Sequence, residues 1–176
     1  MHNGVKYNFL IHNFLNSSIL YLLMGKKGFK DRQITGNVGL YFICYKLSRR
    51  GWNVLPTSRN ARGIDILAYG KEGGQLITIQ TKSFTGKHVA IGPFKSKNDI
   101  LADFYIATCN TYNIPITYIL KKDETKSLLT EHKGKYWLEY KDYQKSEFLE
   151  KWDKIGFGFS DNYEINQIRK IDREMN

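Results

Sequence analysis

"GIDILAYGKEGGQLITIQTKS", residues 63–83, is the stretch whose reading decides the fold. β-branched and aliphatic side chains alternate on both sides of "KEGG" (71–74), a glycine-bearing hairpin turn. The pattern predicts a strand over 63–69 and another over 75–83. Into these strands are set Asp65, Gln80 and Lys82, among Ile66, Leu67, Ala68, Ile77, Ile79 and Thr81. Burying such polar groups is costly unless they find partners. They are therefore surface residues, or they meet around something. Residues two apart in a strand share a face, so Gln80 and Lys82 point the same way. Asp65 lies on the partner strand, where one register of the hairpin sets it beside Gln80.

The elements outward from this hairpin follow from the same logic. "GNVGLYFICYKLSRRGW" predicts a helix from about Asn37 to Arg50 that is apolar on most sides and so buried on more than one. Arg49 and Arg50 suit its negative C-terminal end, and Gly51 terminates it. "WNVLPTS" reads as a strand with Pro56 at its edge or end. After the hairpin come a basic, glycine-bearing loop over 84–97, a short helix near 98–102, and two strands, "DFYIATC" and "ITYILK". "DETKSLLTEH" reads as a helix capped by Asp123, and "KYWLEY" as a short strand. "KSEFLEKWDKI" reads as an amphipathic helix presenting Phe148, Trp152 and Ile155. This order predicts an α/β fold, a mixed central β-sheet flanked by helices.

A length of 176 residues with 41% hydrophobic content describes one globular domain with a sizeable core. Residues 1–24 stand apart: "NFLIHNFLNSSILYLLMG" is broken by His12, Asn13, Asn16, Ser17 and Ser18. It fails as a membrane span, which wants about 20 mostly apolar residues. It is expected to be a poorly packed extension, with 25–158 the folded domain and 159–176 a loose, charged C-terminal tail. Cys44 and Cys109 sit in apolar contexts without metal-like spacing, which fits buried free thiols in a reducing cytoplasm. Lys and Arg number 27 against 17 Asp and Glu, a net charge of +10 that favours a polyanionic partner, nucleic acid ahead of an anionic membrane.

A carboxylate, an amide oxygen and an ammonium at one sheet edge have a definite chemical use. Hard oxygen ligands suit Mg²⁺, which binds through few protein groups. A lysine beside an attacking water can orient it, or take its proton where desolvation lowers the lysine pKa. Metal-assisted attack on a phosphodiester needs these parts. The plainer reading has Asp65 turning the hairpin and Gln80 and Lys82 facing solvent.

The surrounding pattern resembles the PD-(D/E)XK nuclease superfamily, the restriction-endonuclease-like fold. A helix ends at Gly51-Trp52, a strand follows, then Gly63-Ile64-Asp65, and after a hairpin Gln80-Thr81-Lys82. The resemblance covers 35–83 and extends to about Leu120; "GWNVLPTSRNARGIDILAY" is also similar to group I intron-associated and Holliday-junction-resolvase-like endonucleases. It implies an αβββαβ core and an Mg²⁺-dependent DNA endonuclease of the restriction, repair or junction-processing type, with Mn²⁺ as a substitute ion. Asp65 would be the central metal ligand, Gln80 the second, and the Thr81 carbonyl the third, with Lys82 positioning the attacking water. Such nucleases commonly form homodimers. Two departures matter: Leu40 stands about where many relatives carry a Glu, and Gln80 where many carry another. Asp99 and Asp103 are candidates to make up the charge, or are a cap and a strand-end residue.

Basic residues bracket this cluster: Arg59 and Arg62 before it, Lys87, His88, Lys95 and Lys97 after it, with Ser58 and Asn60 adding polar contacts. His88 is a loop histidine, more often neither ligand nor catalyst. Trp137, Tyr140 and Trp152 are expected in the core. Three classes follow: a metal-dependent endonuclease, a non-catalytic DNA-binding member of the same fold, and an unrelated basic interaction protein.

Overall fold

The computed structural model describes residues 31–58, 62–71, 75–159 and 162–174. The expected extension over 1–24 and the turn residues 72–74 lie outside them. Helix α1 (Arg32–Ser48) leads into strands β1 (Asn53–Pro56), β2 (Ile66–Tyr69) and β3 (Leu76–Ser83). Strand β4 (Ile91–Phe94) and a 3₁₀ turn (Lys97–Asp99) precede β5 (Phe104–Cys109) and β6 (Ile116–Lys121). Helix α2 (Lys122–Leu128), the hairpin β7 (Leu129–His132) and β8 (Lys135–Leu138), helix α3 (Tyr140–Tyr143), a 3₁₀ turn (Trp152–Lys154) and helix α4 (Asn162–Glu174) complete the order.

The central sheet runs β1-β2-β3-β5-β6, antiparallel throughout except for the parallel β3–β5 pair. The mixed α/β sheet is the one expected, with the three early strands as consecutive neighbours. Alternation along β3 explains its two faces. Ile77, Ile79 and Thr81 are buried on one side, where Ile77 and Ile79 join Ile43 and Leu47 of α1, Ile66 and Ala68 of β2, and Trp52 in one core. Residues 78, 80 and 82 turn to the opposite face. A second core lies there over β5 and β6, built on Tyr105, Ala107 and Leu120 and covered by Ile91, Phe94, Leu129 and Leu138 of a β4-β8-β7 sheet.

Helix α1 lies very close to the sheet at Gly39, where a Cβ would come within 1.8 Å of Ser83 Oγ. At its C-terminus Gly51 adopts φ +81°, the left-handed cap conformation, as its position after Arg50 predicts.

Several expected elements differ. α1 begins at Arg32, ahead of Asn37, and the short helix near 98–102 is one 3₁₀ turn, so the crossover between β3 and β5 carries β4 where an αβββαβ core has its second helix. Asp123 does not cap α2. Lys121 is the N-cap, and Glu124 reaches back to accept from the Lys121 N–H at 2.7 Å. The second half of "DETKSLLTEH" leaves the helix to form β7. "KSEFLEKWDKI" is not a helix, because it serves two cores: Phe148 packs in the second, Trp152 and Ile155 in the first. Between them the chain borders β6, with Ile119 N–H donating to Phe148 O and Glu150 N–H to Thr117 O, each at 2.9 Å. A helix has one core-facing stripe and could not do both. In place of a loose tail, α4 follows Phe157, over whose ring Arg169 stacks at 5.4 Å.

Candidate active site

Asp65 is fixed at the head of β2 by its backbone. Its N–H donates to Ile79 O and its carbonyl accepts from Thr57 N–H, both at 2.9 Å, while the Thr57 hydroxyl donates to Ile64 O at 2.7 Å. The residue is thus held between β1 and β3 before the strand proper begins. Its Oδ2 accepts from the Thr81 N–H at 2.7 Å and the Thr81 hydroxyl at 3.3 Å. Among the described residues nothing donates to Oδ1.

The β2–β3 register pairs Ile66 with Ile79, and one further step sets Asp65 opposite Gln80. Alternation along β3 puts Gln80 and Lys82 on one face, away from α1. Gln80 is half-buried, and its Oε1 is enclosed without a hydrogen-bond donor. Lys82 is exposed and makes no ion pair with a described residue. The side chains expected to converge therefore share one face at the end of one hairpin.

Sequence reasoning missed Tyr105. It is Gln80's neighbour on β5, fully buried, and its hydroxyl has no partner. Burial, with the nearby Asp65 carboxylate and then Tyr143 adding to it, pushes this phenol well above its ordinary range, so it is a neutral donor. A tyrosine inside "FYIATC", every residue of which is buried, was the available signal, since a buried phenol normally finds a partner.

The acids considered as reinforcements are engaged elsewhere. Asp99 Oδ2 accepts from Lys95 N–H at 2.8 Å and Ser96 N–H at 3.2 Å, closing a capping box. Asp103 Oδ2 accepts from the Thr78 N–H at 2.9 Å and its hydroxyl at 2.7 Å, the strand-end role. Leu40 packs against the α1-side core and brings no oxygen. Among the described residues no group of three or more His, Cys, Asp or Glu side chains could hold a metal.

Arg62, Lys87, Lys95 and Lys97 are exposed, with the Lys97 ammonium 6.0 Å from the Tyr136 ring centre. Arg59 and Asn60 lie outside the described residues. His88 is exposed and packs edge-on against Tyr140, ring centres 5.1 Å apart. Trp152 is a core residue as expected, whereas Trp137 is half-buried and Tyr140 is exposed, supporting His88 on the surface. Cys44 and Cys109 are free thiols, half-buried and buried. Among the described residues no helix is long and apolar enough to cross a membrane.

No protein-family model matches the chain, and no curated protein matches it. Among solved structures, a bacterial homing endonuclease, I-Ssp6803I, is similar at a TM-score of 0.49 and 17% identity, over 71% of this chain and 93% of that one. A likeness this distant carries no argument about chemistry.

Proposed function

We propose that this protein is an Mg²⁺-dependent DNA endonuclease of the PD-(D/E)XK kind, hydrolysing phosphodiester bonds at Asp65, Gln80 and Lys82. The observation that carries the reading is the enclosed, donorless Oε1 of Gln80, across the hairpin from Asp65 and on the same face as Lys82. An orphaned buried oxygen beside a carboxylate oxygen with no donor fits a hard cation better than it fits a packed strand. The donor set is oxygen alone, which suits Mg²⁺ or Mn²⁺. Asp65, Gln80 and the Thr81 carbonyl would hold the ion, and one carboxylate makes the affinity modest. When bound, the ion polarises the scissile phosphate and makes water a better nucleophile.

The chain's own residues supply the rest. Asp65 is anchored through Thr81, so its free oxygen is aimed without further ordering. Lys82 projects from the strand into solvent, where it can meet the phosphate and orient the attacking water. Arg62, Lys87, Lys95 and Lys97, with Arg59 and Asn60 in the adjacent loop, contact the DNA backbone, which makes binding strongly salt-dependent.

A second reading, DNA binding without cleavage, is favoured by one observation: Asp99 and Asp103 already hold backbone N–H groups, so Asp65 has no acidic neighbour. Plasmid nicking across Mg²⁺ and Mn²⁺ titrations, with gel-shift binding in parallel, separates the two. Cleavage by the wild type that is lost in Asp65→Ala supports the first. Salt-sensitive binding with no cleavage in any metal supports the second, and cleavage unaffected by Asp65→Ala overturns the site.

A further inference from the structure

Two buried oxygens face the Asp65 carboxylate without partners, Gln80 Oε1 and the Tyr105 hydroxyl, from neighbouring positions on parallel strands. Gln80 poses a problem that a glutamate would not. Its amide has one oxygen and one NH₂ of nearly the same shape, and a cation accepts only the oxygen. Something must select which end turns toward Asp65. The acceptors on Asp65 and Gln80 cannot, since neither can donate. Tyr105 is the donor to hand: its single O–H is neutral, and Phe94 packs edge-on against its ring at 6.3 Å, limiting how far the hydroxyl can swing. Tyr105 and Gln80 do not bond directly, yet their hydroxyl and amide oxygens, with the donorless Oδ1 of Asp65, give three polar partners, the number a buried water wants.

We propose that Tyr105 is a positioning residue of this site: through one ordered water its hydroxyl holds the Gln80 amide with Oε1 toward Asp65. The proposal rests on the reading of Asp65 and Gln80 as cation ligands. It makes Tyr105 the compensation for the missing second carboxylate, because a glutamate at 80 offers two equivalent oxygens and needs no such selection.

The test is a double-mutant cycle on Mn²⁺ affinity, measured by titration calorimetry on the full chain without DNA. Tyr105→Phe keeps the ring and its packing, so the variant is expected to fold with an unchanged or slightly raised Tm. It should bind Mn²⁺ about tenfold more weakly, the scale of losing an outer hydrogen bond to a metal ligand. In a Gln80→Glu background the same Tyr105→Phe change should cost almost nothing. An equal loss in both backgrounds, or none in the Gln80 protein, overturns the role of Tyr105 and leaves the nuclease reading standing. A wild type that binds no Mn²⁺ overturns both.

Discussion

Asp65 and Thr81 are joined twice across the β2–β3 edge, by the Thr81 N–H at 2.7 Å and its hydroxyl at 3.3 Å, both to Oδ2. One carboxylate oxygen is thereby committed to the fold and the other left for a ligand. Asp65→Ala should therefore act on both. It is expected to lower stability by about 1–3 kcal/mol through the lost acceptor, read by urea denaturation, and to abolish Mg²⁺-dependent nicking. DNA binding in EDTA should be intact or slightly tighter, since a negative charge near phosphates is gone. Full cleavage by this variant would remove Asp65 from the chemistry.

Lys82→Ala separates chemistry from stability in the same site. The side chain is exposed and unpaired among the described residues, so the melting temperature should barely move while nicking is lost. DNA affinity should fall only modestly, because other cations supply most of the phosphate contacts. A large drop in affinity with cleavage retained would make Lys82 a DNA anchor only.

Gln80→Glu should retain cleavage and shift the Mg²⁺ dependence to lower concentration, since it adds a charged oxygen to the ligand set. Without metal the variant should be less stable or unchanged, because the enclosed position of Oε1 then confronts Asp65 with a second negative charge. Stability with and without Mg²⁺ checks both halves, and a variant as stable as wild type in EDTA but unresponsive to Mg²⁺ would contradict the assignment of Gln80.

Glu150 offers a prediction remote from the site. Its Oε1 accepts from the Thr117 N–H at 2.6 Å and hydroxyl at 2.8 Å, and its Oε2 from Trp152 Nε1 at 2.9 Å. These bonds tie the chain bordering β6 to its edge. Glu150→Ala leaves buried Thr117 unsatisfied and should cost about 2–4 kcal/mol, with Glu150→Gln losing less. Denaturant midpoints of the two variants decide it; a loss under about 0.5 kcal/mol for the alanine would show that water replaces the carboxylate there.

Burial sets an alkaline limit. It pushes the Cys44 thiol from 9.0 up to about 11, and drives the Cys109, Tyr105 and Tyr143 groups upward as well. Each favours its protonated form in the folded state, so the unfolded chain releases its protons first as pH rises. The contribution to stability is complete below about pH 9 and is lost progressively toward pH 11 and beyond. Thermal melts from pH 7 to pH 11 should show a plateau followed by a falling Tm, and a flat or rising curve above pH 9 would refute the assignment.

Local chemistry determined much of this protein before any tertiary contact. The period-2 alternation in 75–83 set which residues of β3 face the α1 core and put Gln80 and Lys82 together on the other face, because pleating leaves a strand no other choice. The turn between the two strands made them antiparallel neighbours, and the buried partners of Ile66 fixed Asp65 opposite Gln80. Gly51 after two arginines marked the end of α1 for equally local reasons. What no local pattern could supply was the other neighbour of β3. Tyr105 stands beside Gln80 only because β5, after the crossover over 84–103, inserts parallel to β3 in a register that both cores must agree on. The same holds for 145–155, whose apolar spacing suits a helix but whose side chains divide between two cores. Periodicity reports how one face of a segment is buried, and it is silent where tertiary packing asks one segment to serve two faces.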